Sequence, residues 1–162
     1  MNNYVNGSDL LLKLAGGCIG HCTTHTATYT TETADVAVKP KASVAASPTA
    51  GRYKSKRVKG LAIQIKASGL KFWGEDESGF KKVLGEWAKG QTVPASMFER
   101  DNDAQPYLSG NFIISELTET NPAAEDASYD VTLDLDGEPT VLNASVLDSL
   151  AVAVSANNQT GE

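Results

Sequence analysis

The sequence predicts a mainly β fold of antiparallel strands flanked by one α-helix. Three observations carry that expectation. "LAIQIKASGL" at 61–70 alternates with period two, placing Leu61, Ile63, Ile65 and Ala67 on one face and Ala62, Gln64 and Lys66 on the other. "ASYDVTLDLDG" at 127–137 does the same, with Tyr129, Val131, Leu133 and Leu135 against Asp130, Asp134 and Asp136. Only one stretch, "EDESGFKKVLGEWAKG" at 75–90, has convincing helical spacing, with Phe80, Val83, Leu84 and Trp87 at i, i+3, i+4 and i+7.

Along the chain, "SDLLLKL" (8–14) reads as a short apolar strand, and "AGG" with Gly20 marks a turn. "TTHTATYTTET" follows, rich in β-branched Thr, and reads as a long strand to about Glu32. Segment 33–59, "TADVAVKPKASVAASPTAGRYKSKRVK", holds Ala, Ser, Lys and Pro with no large apolar residue except valine. It is expected to be a long extended loop, longer than a mere connection requires. The helix at 76–89 is expected to be capped by Asp76 or Ser78 and stopped by Gly90, its stripe of Phe80, Val83, Leu84 and Trp87 packed as core against the sheet. "QTVPASMFE" (91–99) and "YLSGNFIISELTE" (107–119) supply further strands. Asp136-Gly137 signals a hairpin turn into "EPTVLNAS". One β-domain over 1–154 and a flexible tail over 155–162 are expected.

With 162 residues the chain can bury a real core, and no apolar run approaches the 18 or so residues that cross a membrane. The start "MNNYVNGSD" lacks the plan of a signal peptide, and two cysteines fit a reducing cytoplasm. The net charge of −6 is unevenly spread. From Thr33 to Lys59 seven basic residues (Lys39, Lys41, Arg52, Lys54, Lys56, Arg57, Lys59) stand against Asp35, leaving +6. From Glu99 to Glu138 eleven acids stand against Arg100, leaving −10. Overall acidity argues against a protein that grips nucleic acid, which needs a basic face to displace counterions from phosphate.

"GGCIGHCTTHT" places Cys18, His21, Cys22 and His25 within eight positions, a composition that suits zinc. If the backbone is a strand, Cys18 and Cys22 point one way and His21 and His25 the other, with positions four apart separated by about 13 Å. That would prevent convergence on one ion and a Cys18–Cys22 disulfide alike. The acids at 130, 134 and 136 read as the wet face of a strand, and "DNDAQ" (101–105) lacks the Gly and distal Glu of a calcium loop. No Walker loop, G-x-S-x-G or H-E-x-x-H occurs. A metal protein or small enzyme built on Cys18, His21, Cys22 and His25 is the rival class, with a ligand-binding β-barrel as another.

The opening "NGSDLLLKLAGGCIGHCTTHTATYTTETADVAVKPK" combines an Asn-Gly start, an apolar strand, a glycine-bearing turn and an "IGH-x-T-x-H" strand ending in "ETADV". Together with "VKGLAIQIKASGL", the helix around "FKKVLGEWAKG" and the corner "TETNPAAEDASYDVTLDLDG", it resembles the major tail, or tail-tube, protein of long-tailed bacteriophages over nearly the whole chain. The resemblance implies a β-sandwich or barrel flanked by a helix, hexameric rings stacked into a tail tube, and no enzyme or cofactor. It implies as partners further copies of the chain, the tape-measure protein, the tail terminator and distal tail or baseplate proteins, with genomic DNA passing through during ejection. The location it implies is the virion, assembled in the host cytoplasm. Lys39, Lys41, Arg52, Lys54, Lys56 and Arg57 are expected to contact acidic surface on the next ring. Type VI secretion inner-tube proteins look related in fold.

Overall fold

In the computed structural model, residues 4–36, 55–73 and 79–143 are described. A 3₁₀ turn at Gly7–Asp9 leads into β1 (Leu10–Leu14), followed by β2 (Gly17–Cys18), β3 (Cys22–Val36), β4 (Ser55–Leu70), α1 (Phe80–Lys89), β5 (Val93–Glu99), β6 (Leu108–Thr120), β7 (Ser128–Leu135) and β8 (Val141–Leu142). These eight strands belong to one sheet of order β2-β1-β5-β6-β7-β4-β3, with β8 added beside β6. The mainly β, antiparallel class, with a single helix among the described residues, is as expected, and the sheet is open, with β2 and β3 at its two ends.

The chain divides into two units, Met1–Ala27 with Gln64–Glu162, and Thr28–Ile63. In the first, β1, β5, β6 and β7 turn alternate side chains inward: Leu12 and Leu14, Val93, Ala95 and Met97, Leu108, Phe112 and Ile114, Tyr129, Val131 and Leu133 are all buried. Period-two alternation puts each set on one face, and the antiparallel registers Leu12↔Met97, Ala95↔Gly110 and Ile114↔Leu133 stack the sets into one core. Gly110 belongs to that face because a Cβ there would lie 2.8 Å from Leu135 Cδ1. β6 carries a register shift between Ile114 and Glu116, after which Leu117 opposes Val131.

The β1–β2 connection is Ala15-Gly16, both at positive φ (53° and 86°), the geometry of a two-residue hairpin turn whose twist matches the strands. Helix α1 begins after Gly79, which is its N-cap and makes no side-chain hydrogen bond; Asp76 and Ser78, the expected caps, lie outside the described residues. It ends at Gly90, left-handed at φ 65°, whose N–H donates to the Trp87 carbonyl. Phe80 and Val83 are buried, with the Phe80 ring 5.8 Å from that of Tyr129.

In the second unit the strands run further than the sequence suggests. β3 continues to Val36 and β4 already begins at Ser55, so 33–36 and 55–59 of the loop expected at 33–59 are strand; residues 37–54 lie outside the described residues, as do the expected tail 155–162 and the end of the domain at 154. Leu61, expected inside with Ile63, is 79% exposed, and no residue of Ser55–Ala62 is buried. The turn at Asp136-Gly137 does not close a hairpin. β8 pairs with β6, Leu142 opposite Leu108 and Val141 opposite Ser109, rather than with β7.

Candidate functional site

Four surfaces hold the residues that the sequence singles out. The first is the Cys/His stretch. A turn, not a continuous strand, separates β2 from β3, and His21 sits in it at φ 51°. The alternation expected over 18–25 therefore does not hold. Cys18, Cys22 and His25 line one cleft of about 570 Å³ together with Arg100, while His21 packs on Phe72, ring centroids 4.3 Å apart and tilted by 44°. Within the cleft the Cys22 thiol donates to the Thr24 carbonyl at 3.3 Å, and burial pushes its pKa up. Burial pulls the His25 pKa down, leaving a neutral imidazole at pH 7 beside a protonated thiol. Both cysteines are free. Among the described residues no three His, Cys, Asp or Glu side chains are placed to hold a metal ion.

The second is the basic segment. Lys39, Lys41, Arg52 and Lys54 lie outside the described residues, while Lys56 and Arg57 are exposed on β4. Lys56 reaches Asp35 at 3.5 Å and Lys59 reaches Glu32 at 3.8 Å, pairs across the β3–β4 ribbon that water screens.

The third is helix α1. Phe80 and Val83 meet the sheet, but Leu84 and Trp87 are 42% and 51% exposed, which corrects the expectation that the whole stripe is core. Ten residues are fewer than three turns, and the sheet covers only one side of the stripe. Leu84 and Trp87 instead border a groove of about 230 Å³ shared with Phe80, Leu117 and Glu119. Lys71 pairs with Glu119 and holds its carboxyl below the usual range, while its own Nζ lies 4.4 Å from the Phe80 ring centre.

The fourth is the face of β4, β7 and β6 opposite the core. Registers Gln64↔Asp134, Lys66↔Thr132 and Ser68↔Asp130, then Glu116↔Thr132 and Thr118↔Asp130, put amide, hydroxyl and carboxylate groups and the Lys66 ammonium side by side. Gln64 Nε2 donates to Asp134 at 2.8 Å and Ser68 Oγ to Asp130. The loop 101–105 forms a turn in which Asp103 pairs with Lys13 at 3.3 Å.

Sequence reading missed Arg100 and Glu99. Arg100 donates its side chain to the Ser8 carbonyl at 2.6 Å and its backbone N–H to the Asp9 carbonyl at 2.8 Å, which ties the end of β5 to the 3₁₀ turn. Glu99 could have been found from its place two residues beyond buried Met97 on an alternating strand.

No protein-family profile and no curated protein matches the chain. Solved structures do. The tail of an empty gene transfer agent (GTA) particle, refined with C6 helical symmetry, superposes with a TM-score of 0.66 at 18% identity, over 85% of this chain and 98% of that one. The virion of the native gene transfer agent particle gives 0.64 at 19% identity, over 84% and 97%. The SPP1 tail tube gives 0.56 at 11% identity, over 90% and 84%. The chain has the fold of these tail proteins.

Proposed function

We propose that this chain is a structural tail-tube protein of a bacteriophage or phage-like particle, whose copies form six-membered rings that stack into a conduit for DNA. The observation that carries the reading is the shared fold over 98% of a chain from a tail refined with C6 symmetry. The role resides in surfaces and not in an active site, so the protein is no enzyme and needs no cofactor. Its place is the virion, and its other partners are the tape-measure protein inside the tube and the terminator and distal tail proteins at the ends.

Two features support it. The ribbon of β3 and β4 has no buried residue along Ser55–Ala62, and an isolated two-stranded ribbon is marginal in water. Such a ribbon suits an arm that a neighbouring ring covers. Lys56 and Arg57 on it, with Lys39, Lys41, Arg52 and Lys54 of the sequence between its strands, would meet acidic surface there, in a contact repeated around the ring. The polar face of β4, β7 and β6 suits the channel wall, because its carboxylates at Glu116, Asp130 and Asp134 outnumber the cation Lys66, and a net negative face lets a polyanion slide. The rival, a metal or redox protein built on Cys18, His21, Cys22 and His25, is weakened by the turn that sends His21 away to Phe72.

Native mass spectrometry across a concentration series tests the reading. Masses at six copies and multiples of six are expected; a monomer at every concentration would contradict it.

A further inference from the structure

The cleft that holds Cys18, Cys22 and His25 lies between the two ends of the open sheet. Leu10, Leu11 and Leu12 of β1 and Ile19 just past β2 line it, and so do residues 22–25 of β3. β3 is the last strand of the sheet, so over residues 22–27 its outer edge meets no further strand among the described residues. The N–H and C=O groups of such an edge are a template for another strand, and proteins ordinarily guard them with lysine, proline or a bulge. Residues 22–27, Cys-Thr-Thr-His-Thr-Ala, hold no lysine and no proline. Across the cleft Leu10 and Leu11 are only half-buried.

The size of the cleft fits a strand. A strand residue is about 3.3 Å long, about 4.8 Å from its neighbours and part of a layer about 10 Å thick, so it fills roughly 160 Å³. A cleft of about 570 Å³ therefore takes about three or four of them. One part of this chain has the matching pattern. Residues 150–154, Leu-Ala-Val-Ala-Val, alternate larger and small apolar side chains with period two and include no charge, proline or glycine. They lie outside the described residues, as do 1–3, 37–54 and 74–78. Of those others, the first is too short, the second is broken by Pro40 and Pro48 among its cations, and the third is acidic.

The path of the chain leads to the same place. Registers Leu142↔Leu108, Met97↔Leu108 and Leu12↔Met97 put the end of β8 level with Leu12. Asn143 then donates its N–H to the Tyr107 carbonyl, so the chain leaves the sheet toward the end where Leu10 and Arg100 border the cleft. From β8 past β6, β5 and β1 is four strand spacings, about 19 Å. Residues 144–149, fully extended, reach about 20 Å.

We infer that residues 150–154 of the same chain pair along the free edge of β3 and fill this cleft, with Leu150, Val152 and Val154 turned toward Leu10, Leu12 and Ile19. Ala151 and Ala153 then face outward, on the side of Cys18, which stands opposite Lys13. The inference is independent of the tail-tube reading, because its occupant is the chain itself. Apolar side chains leave water, and backbone groups of the β3 edge gain partners.

The cysteines already in the cleft report on it. The test uses the full chain with Ala151→Cys or Ala153→Cys, oxidised by glutathione disulfide and mapped by peptide mass spectrometry. A disulfide within one chain, from the introduced thiol to Cys18 or Cys22, is expected from at least one of them, and none from Gln159→Cys beyond the run. In a second variant, Val152→Asp with Val154→Asp, alkylation of Cys18 and Cys22 is expected to be at least about tenfold faster than in the unmodified chain. If that variant fails to fold by circular dichroism, hydrogen exchange of the unmodified chain takes its place, and slowed exchange of residues 150–154 together with 22–27 is expected. Fast exchange throughout 150–154, or alkylation at the unmodified rate, would overturn the inference. Disulfides that join only separate chains would overturn it too, since the occupant would then be a second copy. Neither result bears on whether the chain forms rings.

Discussion

Glu99 ends β5 opposite Leu10, 2% exposed, and its Oε2 has no hydrogen-bond partner. Burial first, and the nearby Asp9 charge second, raise its pKa. A carboxyl whose folded pKa lies above its unfolded value favours the fold most when protonated. Stability is then greatest below the unfolded value of about 4.3 and falls as pH rises through the folded one. Glu99→Gln removes that loss, so it should raise neutral-pH stability by on the order of 1 kcal/mol and flatten the pH dependence above about 4. Denaturant melts in acid and at neutral pH check this; a variant less stable at neutral pH would mean that the ionised carboxylate has a stabilising partner. At this scale the sequence was legible where alternation ruled, as at Tyr129, Val131 and Leu133, all buried. It misled at Cys18–His25, because a turn with His21 at φ 51° breaks the period, and nothing in "CIGHC" besides Gly20 announced it.

Helix α1 and the β3–β4 ribbon make separate predictions at the scale of elements. Phe80 is buried against Tyr129 whereas Trp87 is half in water. Phe80→Ala should therefore cost about 3–5 kcal/mol, and Trp87→Ala well under that. Thermal melts of the two variants check the order, and equal losses would mean that the outer stripe is also core. Replacing residues 40–56 by a short Gly/Ser linker should leave the fold and the ring intact yet abolish tube formation. Tubes of normal length in electron micrographs of that variant would contradict the stacking role of the segment. Element types were readable because strand and helix periods differ, and Gly90 marked the helix end as its φ of 65° requires. The half-exposed stripe was not readable, since spacing tells which residues share a face and not how far the sheet reaches beneath it. Nor was the partner of β8: Asp136-Gly137 signalled a turn, but pairing with β6 depends on where "EPTVL" lands after it.

For the whole molecule, the uneven charge of the sequence suits the self-assembly proposed above, and the fold agrees with tail proteins at 11–19% identity. The fold is retained across sequence divergence of that depth. Core positions then need only suitable volume and period, while surface positions follow their own neighbours. The assembly proposed for the chain is a stack of six-membered rings around an open axial channel. Electron micrographs of the concentrated, unmodified chain test it most directly: class averages down the axis should have six-fold symmetry around a channel wide enough for duplex DNA. Compact single particles at every concentration, or rings with no channel, would contradict it.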